Sequence, residues 1–365
     1  MKINNLISPF DISYSIRNVD VPSRFFFAPI NTGLADYGII RDEFIEFYKE
    51  RSGNFVGINY IGNVAIGKNY ITNQNTAYFT EDTSQWQKLI KTISDKGSIP
   101  GIQIACRNSS LTPIRKMINN DIDSYKKTVQ EDLLKLSEEE ILDVIQHFID
   151  SSLKSYELGF KVIQIHAAHG YFLSQLLSNE LNLRSDKYGT NRILPLKEIV
   201  EGIRAKSNDL IIDIRISYLE GLVEEDKEIA YKSKLIEELV KLDVDMISFS
   251  NGIYDVNKLL IYPIQKWGHA VFLKNIISYA TKYPNILWNT AGNIWDLNSL
   301  NLNQLPNNLS FSLGRSLIAD PLFIKKTIEK ENDSINQCEY KNKCHYYSLN
   351  LEHIGCPIYE LNKTL

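Results

Sequence analysis

Cysteine is scarce in this chain: four in 365 residues, at 106, 338, 344 and 356. That is too few for a disulfide framework at this length, and a reducing, cytoplasmic location is the expectation. No apolar run approaches the roughly 18 residues that a membrane span requires, and Met1-Lys2-Ile3-Asn4-Asn5 leads into no signal-like apolar core. No membrane partner is therefore expected. There is no excess of one charge either. Forty Lys and Arg against 44 Asp and Glu leave a formal net charge of −4, which argues against a nucleic-acid partner. Internal repeats, low-complexity tracts and Pro/Gly-rich linkers are absent from the sequence. An aromatic content of 11%, with 20 tyrosines, excludes a disordered chain.

What is present is alternation. Apolar runs of strand length occur at residues 25–29, 56–61, 99–105, 162–165, 211–216, 246–250, 286–289 and 309–313. Several are apolar nearly throughout, as strands buried on both faces are. Helical periodicity lies between them, at 42–52, 84–96, 137–158, 195–206, 227–242, 270–282 and 321–331. The clearest begins at Ser137, which with Glu140 reads as a capping box ahead of Ile141, Val144, Ile145, Phe148 and Ile149. Eight strands alternating with helices predict an α/β protein, a (β/α)8 TIM barrel in a single domain. The barrel is expected over residues 1–331, with a cysteine-containing tail, 332–365, packed on it. Residues 107–135 read as a long polar loop after strand three, a candidate lid. Residues 176–193 are a second excursion.

A barrel of this kind keeps its chemistry at the C-terminal ends of its strands. Strand four runs Ile163-Gln164-Ile165-His166-Ala167-Ala168-His169-Gly170-Tyr171 and so ends in three proton-handling side chains. Strand three carries Gln103 among apolar residues, and strand five carries Arg215 between isoleucines. A buried Gln or Arg is costly without a partner, which for Arg215 is either an acidic side chain or a bound anion. Gly292-Asn293 and Gly314-Arg315 follow strands seven and eight, where such barrels bind phosphate. Together they suit a phosphorylated planar cofactor. His166 and His169 alone would also suit a solvated loop or half a metal site. With no third ligand nearby, no metal is expected. Gly62-Asn63-Val64-Ala65-Ile66-Gly67-Lys68-Asn69 approaches a P-loop but lacks the closing Ser or Thr, and no dinucleotide fingerprint occurs.

The chain resembles the Old Yellow Enzyme family of FMN-dependent oxidoreductases. The resemblance rests on Phe25-Phe26-Phe27-Ala28-Pro29-Ile30-Asn31-Thr32-Gly33, the His166–Tyr171 motif with Leu173-Ser174-Gln175-Leu176-Leu177-Ser178, Asn182-Leu183-Arg184-Ser185-Asp186-Lys187-Tyr188-Gly189, and Gly314-Arg315-Ser316-Leu317-Ile318-Ala319-Asp320-Pro321. It implies FMN on the C-terminal face. Pro29, Ile30 and Asn31 would lie beside the flavin, and Gly62 would allow a close backbone approach. Gln103 would pair with the pyrimidine edge and Arg215 would sit near N1 and O2. Gly292, Asn293, Gly314 and Arg315 would hold the phosphate. The implied reaction is ping-pong. NADH or NADPH, bound transiently, reduces the flavin, and hydride then passes from N5 to an electron-poor, carbonyl-conjugated C=C bond. His166 and His169 would bind the carbonyl oxygen, and Tyr171 would protonate the α-carbon.

The family pattern is not followed throughout. Thr190-Asn191-Arg192 shortens an outer loop, and Cys106-Arg107-Asn108-Ser109 replaces a His-Ala-Gly-Arg run. Asn31 stands where Thr or Cys is frequent. Larger relatives such as 2,4-dienoyl-CoA reductase bind an iron–sulfur cluster through four tail cysteines and add FAD- and NADPH-binding domains. Here Lys341 replaces the second cysteine between Cys338 and Cys344, so the cluster is not expected, and at 365 residues those domains are not expected either. Two alternatives remain open at this point: an FMN-dependent dehydrogenase or isomerase of a biosynthetic pathway, and a non-catalytic flavin-binding barrel. A homo-oligomer is also left open.

Overall fold

Eight apolar strands with one residue set facing helices and the other facing inward close into a barrel. The computed structural model describes residues 1–4, 8, 10–107 and 121–359. The barrel strands, numbered one to eight in words, are Phe25–Phe27, Ile58–Ala65, Ile99–Ala105, Val162–Ala167, Ile211–Leu219, Met246–Asn251, Leu287–Thr290 and Leu309–Leu313. Neighbours in sequence pair in parallel. Strand eight returns to strand one through Phe311↔Phe25 and Leu313↔Phe27, and Phe27↔Asn59 joins strands one and two. The (β/α)8 architecture read from the sequence is the architecture found.

Strand five shows how the pattern works. Ile212, Ile214 and Ile216 enter the large apolar cluster shared with the surrounding helices. Asp213, Arg215 and Ser217 alternate with them, so they face the barrel interior. The same alternation on strands three and four turns Gln103, Gln164 and His166 inward. Register then places Gln103, Gln164 and Asp213 side by side, and His166 beside Arg215.

Helix Glu138–Leu158 has the expected capping box. The Ser137 hydroxyl accepts from the Glu140 amide at 3.1 Å, and the Glu140 carboxylate accepts from the Ser137 amide at 2.8 Å. The helix stops at Gly159 with φ 111°, a left-handed position that favours glycine.

Three features differ from the sequence reading. Strand two starts at Ile58 rather than 56 and runs on to Ala65, carrying Gly62 and Asn63 inside it. The stretch 107–135, read as a polar loop, contains helix Ile122–Lys135, whose Tyr125, Val129 and Leu133 recur every fourth residue and are buried. Its charged outer face hid that stripe, and residues 108–120 lie outside the described residues. A small antiparallel sheet of Lys2–Asn4, Ser13–Ile16 and Val19–Val21 was not anticipated. Its Ile12, Tyr14, Ile16 and Val21 pack against Phe26, Ile58, Val162, Ile211, Met246 and Leu287, which plugs the N-terminal mouth. The C-terminal mouth stays open, and the tail lies across part of it. Among the described residues, no helix is long and apolar enough to cross a membrane.

Candidate active site

The open mouth is a cleft of about 1300 Å³, its solvent-exposed entrance included. Its wall includes Pro29, Ile30, Asn31, Gln103, His166, His169, Tyr171, Arg215, Gly292, Asn293, Gly314 and Arg315. Twelve of the thirteen candidate residues therefore come together. Gly62 is not on the wall. A Cβ there would stand 2.9 Å from the Gln103 Cβ and 3.1 Å from the Pro29 Cβ, so its close approach is to two lining residues.

Beneath the cleft runs a buried polar layer. Gln103 Nε2 donates to Gln164 Oε1 at 2.6 Å, and Gln164 Nε2 donates to Asp213 Oδ2 at 2.6 Å. Tyr60 and Ser248 donate to the same oxygen, each at 2.8 Å. Burial still raises the Asp213 pKa above its usual value, against these hydrogen bonds. Two residues along strand five, Arg215 faces the same interior but forms no ion pair among the described residues. Its Nη2 donates to Ser250 Oγ at 3.2 Å, and its buried Nε has no partner there. Burial lowers its pKa. A buried guanidinium without a paired carboxylate is an expensive arrangement, and a bound anion or polar acceptor relieves it.

His166, His169 and Tyr171 form one cluster. The His166 ring lies 5.0 Å from His169 and 4.6 Å from Tyr171, centroid to centroid. His169 has φ 63°, and its Nε2 lies 2.6 Å from Ser250 Oγ, so Ser250 bridges it to Arg215. The His166 Nδ1 is buried and unpartnered among the described residues. Burial first, then the charges of Arg215 and Arg107, hold the His166 pKa well below its ordinary value. Burial, then His166 and the same two arginines, do so for His169. Both rings are neutral near pH 7 and keep an N–H to donate. Arg107 is ion-paired with Asp255, and its guanidinium lies 5.2 Å from the centre of the Tyr171 ring.

At the far end, Arg315 opens helix Arg315–Ala319. Its guanidinium donates to Pro263 O, Asn342 Oδ1 and Asn293 Oδ1, each at 2.8 Å, and lies over the Tyr340 ring. Asn293 donates onward to Ile264 O at 2.8 Å. These bonds fix the arginine in place and leave part of its fork of five N–H groups for an anion. On the opposite side, Asn31 donates to Thr76 Oγ1 at 3.2 Å and accepts from Tyr346 OH at 3.1 Å.

The tail cysteines have a separate place. Cys338, Cys344 and Cys356 are free thiols lining one small cavity beside Arg315. Lys341, in the fourth position, is exposed and pairs with Glu339 at 3.1 Å. Burial raises Cys338 and pushes Cys344 up to about 11. A cubane cluster takes four thiolates. Three cysteines, two of them held towards the protonated thiol, and an outward lysine do not supply that donor set. No group of three or more His, Cys, Asp or Glu suited to a metal occurs among the described residues.

Sequence reasoning missed Asn63, Thr72, Tyr254, Tyr262, His345 and Tyr346, all on the cleft wall. Asn63 lies inside strand two, two residues past its sequence-predicted end at residue 61, where the inspection of strand ends could have found it. The others come from loops and from the tail.

Residues 6–334 match the model of the NADH:flavin oxidoreductase / NADH oxidase family. An NADH oxidase of Thermoanaerobacter brockii is 28% identical over 345 residues, which cover 88% of this chain and 51% of that protein. An NADPH dehydrogenase of Clostridium acetobutylicum is 26% identical over 341 residues, covering 89% of this chain and 96% of that one. Two solved structures share the fold. A 2-naphthoyl-CoA reductase has a TM-score of 0.80 at 19% identity, over 96% of this chain and 56% of its own. The Old Yellow Enzyme of Pichia sp. AKU4542 has a TM-score of 0.68 at 16% identity, over 88% and 87%. This chain spans little more than half the length of the Thermoanaerobacter protein and of the reductase.

Proposed function

The chain belongs to the NADH:flavin oxidoreductase / NADH oxidase family, and from that premise we propose that it uses FMN and NADH or NADPH to reduce a carbon–carbon double bond conjugated to a carbonyl group. The observation that carries the reading is Arg215. It is a buried guanidinium with no ion pair among the described residues and an unpartnered Nε, in a cleft that also holds the Gln103 amide and two neutral histidines. Pro29, Ile30, Asn31, Gln103 and Arg215 would hold the flavin ring, and Gly292, Asn293, Gly314 and Arg315 its phosphate. Bound FMN supplies the hydride, which it receives from the nicotinamide.

The remaining work falls to side chains. Neutral His166 and His169 each offer an N–H to a carbonyl oxygen. As the adjacent double bond is reduced, negative charge builds on that oxygen and both bonds strengthen, which lowers the barrier. Tyr171 stands against the His166 ring with its hydroxyl on the cleft wall, within reach of a carbon atom that needs a proton. The Arg107–Asp255 pair lies beside Tyr171 and leaves no net charge there. That favours an uncharged substrate, an electron-poor alkene. The barrel over residues 1–331 with its tail 332–365 acts as one unit in this reading, because Asn342 and Tyr346 hold Arg315 and Asn31 in place.

The test is product analysis. FMN-loaded protein, bleached anaerobically with NADH or NADPH, is mixed with cyclic enones, and oxidised protein is mixed with amines. The expected outcome is reoxidation by enones with formation of the saturated ketone. Reduction of the oxidised protein by amines, with enones inert, would assign a dehydrogenase instead.

A further inference from the structure

Tyr171 is not isolated in the cleft wall. Its hydroxyl lies 3.0 Å from Thr72 Oγ1 and 3.4 Å from Asn63 Nδ2, and Asn63 Nδ2 lies 3.0 Å from Thr72 Oγ1. We propose that Thr72 is a positioning residue for proton delivery by Tyr171, with Asn63 setting the direction of its hydrogen bond. The proposal rests on Tyr171 being the proton donor of the reaction above.

The donor inventory allows the direction that proton delivery needs. An amide nitrogen only donates, so Asn63 gives one hydrogen to Thr72 Oγ1 and leans the other towards the Tyr171 oxygen. Thr72 Oγ1 and the Tyr171 hydroxyl can each donate to the other; in the proposed arrangement Thr72, holding the Asn63 hydrogen on one lone pair, gives its own hydrogen to the Tyr171 oxygen. That oxygen is then hydrogen-bonded from the Asn63–Thr72 side, and its own hydrogen turns away from them into the cleft. The reverse order, Tyr171 donating to Thr72, would aim the reacting proton at the wall.

The same contacts gain strength during reaction. Hydride addition at the β-carbon leaves an electron pair conjugated between the α-carbon and the carbonyl oxygen. The Tyr171 O–H bond breaks, its electron pair stays on the phenolic oxygen, and the α-carbon pair takes the proton to form a C–H bond. A proton from water restores the tyrosine before the next turnover. Between those events the oxygen is anionic, and the Thr72 O–H and Asn63 N–H bonds to it become charge-assisted, about twice as strong as neutral ones. Contacts that strengthen only as the proton leaves accelerate its transfer rather than substrate binding.

The sequence gives no hint of this arrangement. Thr72 is 99 residues from Tyr171 and lies in a polar loop whose Thr and Asn residues read as turn formers.

The experiment uses the FMN-loaded protein with separate anaerobic half-reactions: bleaching by nicotinamide, then reoxidation by cyclohexenone. In Thr72→Val, reoxidation falls roughly ten- to a hundredfold more than bleaching does. Thr72→Ser restores most of it. Adding Thr72→Val to Tyr171→Phe costs nothing further, because the two residues act as one unit. Asn63→Asp, which can only accept, draws the Thr72 hydrogen away and slows reoxidation although Thr72 is intact. Unchanged reoxidation in Thr72→Val, an equal loss in the Tyr171→Phe background, or a fully active Asn63→Asp overturns the proposal. If Tyr171→Phe itself reoxidises normally, Tyr171 is not the donor and the underlying reading falls, a result separate from the first three.

Discussion

His166 and His169 carry no charge in the folded protein because burial and two nearby arginines oppose it. This links the cleft to the stability of the whole chain. In the unfolded chain each ring takes a proton near its ordinary pKa of 6.5, while in the fold it does so only well below that. Below about pH 6.5 the unfolded state therefore binds more protons, and stability declines as pH falls. Above that pH neither state is protonated and the effect vanishes. The slope is at most about 1.4 kcal/mol per pH unit for each ring. The urea midpoint is expected to drop between about pH 7.5 and pH 5.5, and a His166→Asn, His169→Asn double variant should show a flatter curve. An unchanged curve in the variant would mean that the rings are not held neutral.

At the scale of elements, strand two is the one that ties the wall together. It holds Asn63 towards Tyr171, while its Gly62 packs between strands one and three. A methyl group at Gly62 meets two Cβ atoms fixed to neighbouring backbone, at 2.9 and 3.1 Å. Gly62→Ala should cost about 1–3 kcal/mol of stability by overpacking. It should also lower flavin content, since Pro29 and Gln103 must shift; denaturant titration and the visible spectrum measure the two. The family resemblance implied a close approach at Gly62 without naming Pro29 or Gln103 as what approaches. The same limit applies more widely. Strand five was legible because isoleucines alternate with Asp213, Arg215 and Ser217, and helix Glu138–Leu158 because its capping box is local. The N-terminal sheet escaped notice because strands of three or four residues carry too little periodicity. Helix Ile122–Lys135 escaped because three buried residues are spread through a charged stretch. Tyr346 reaches Asn31 across 315 residues of chain, and no local pattern encodes such a contact.

For the molecule as a whole, the barrel divides labour between its two ends. The N-terminal mouth is plugged by apolar side chains of the small sheet, which secures closure. The C-terminal mouth gathers a polar floor, a histidine pair, a tyrosine and two arginines from distant strands, and the tail completes its rim. The residues proposed to hold a phosphate, after strands seven and eight, and those proposed to handle a proton, at the end of strand four, line different parts of one cleft, so in this reading a cofactor and a substrate share it. The central claim is that Tyr171 delivers a proton to the substrate and takes no part in reducing the cofactor. The direct measurement is anaerobic stopped-flow on FMN-loaded wild type and Tyr171→Phe, following bleaching by NADH or NADPH and then reoxidation by a cyclic enone. Reoxidation is predicted to fall by roughly a hundredfold or more while bleaching changes little. An equal fall in both steps, or no fall in reoxidation, would contradict the account.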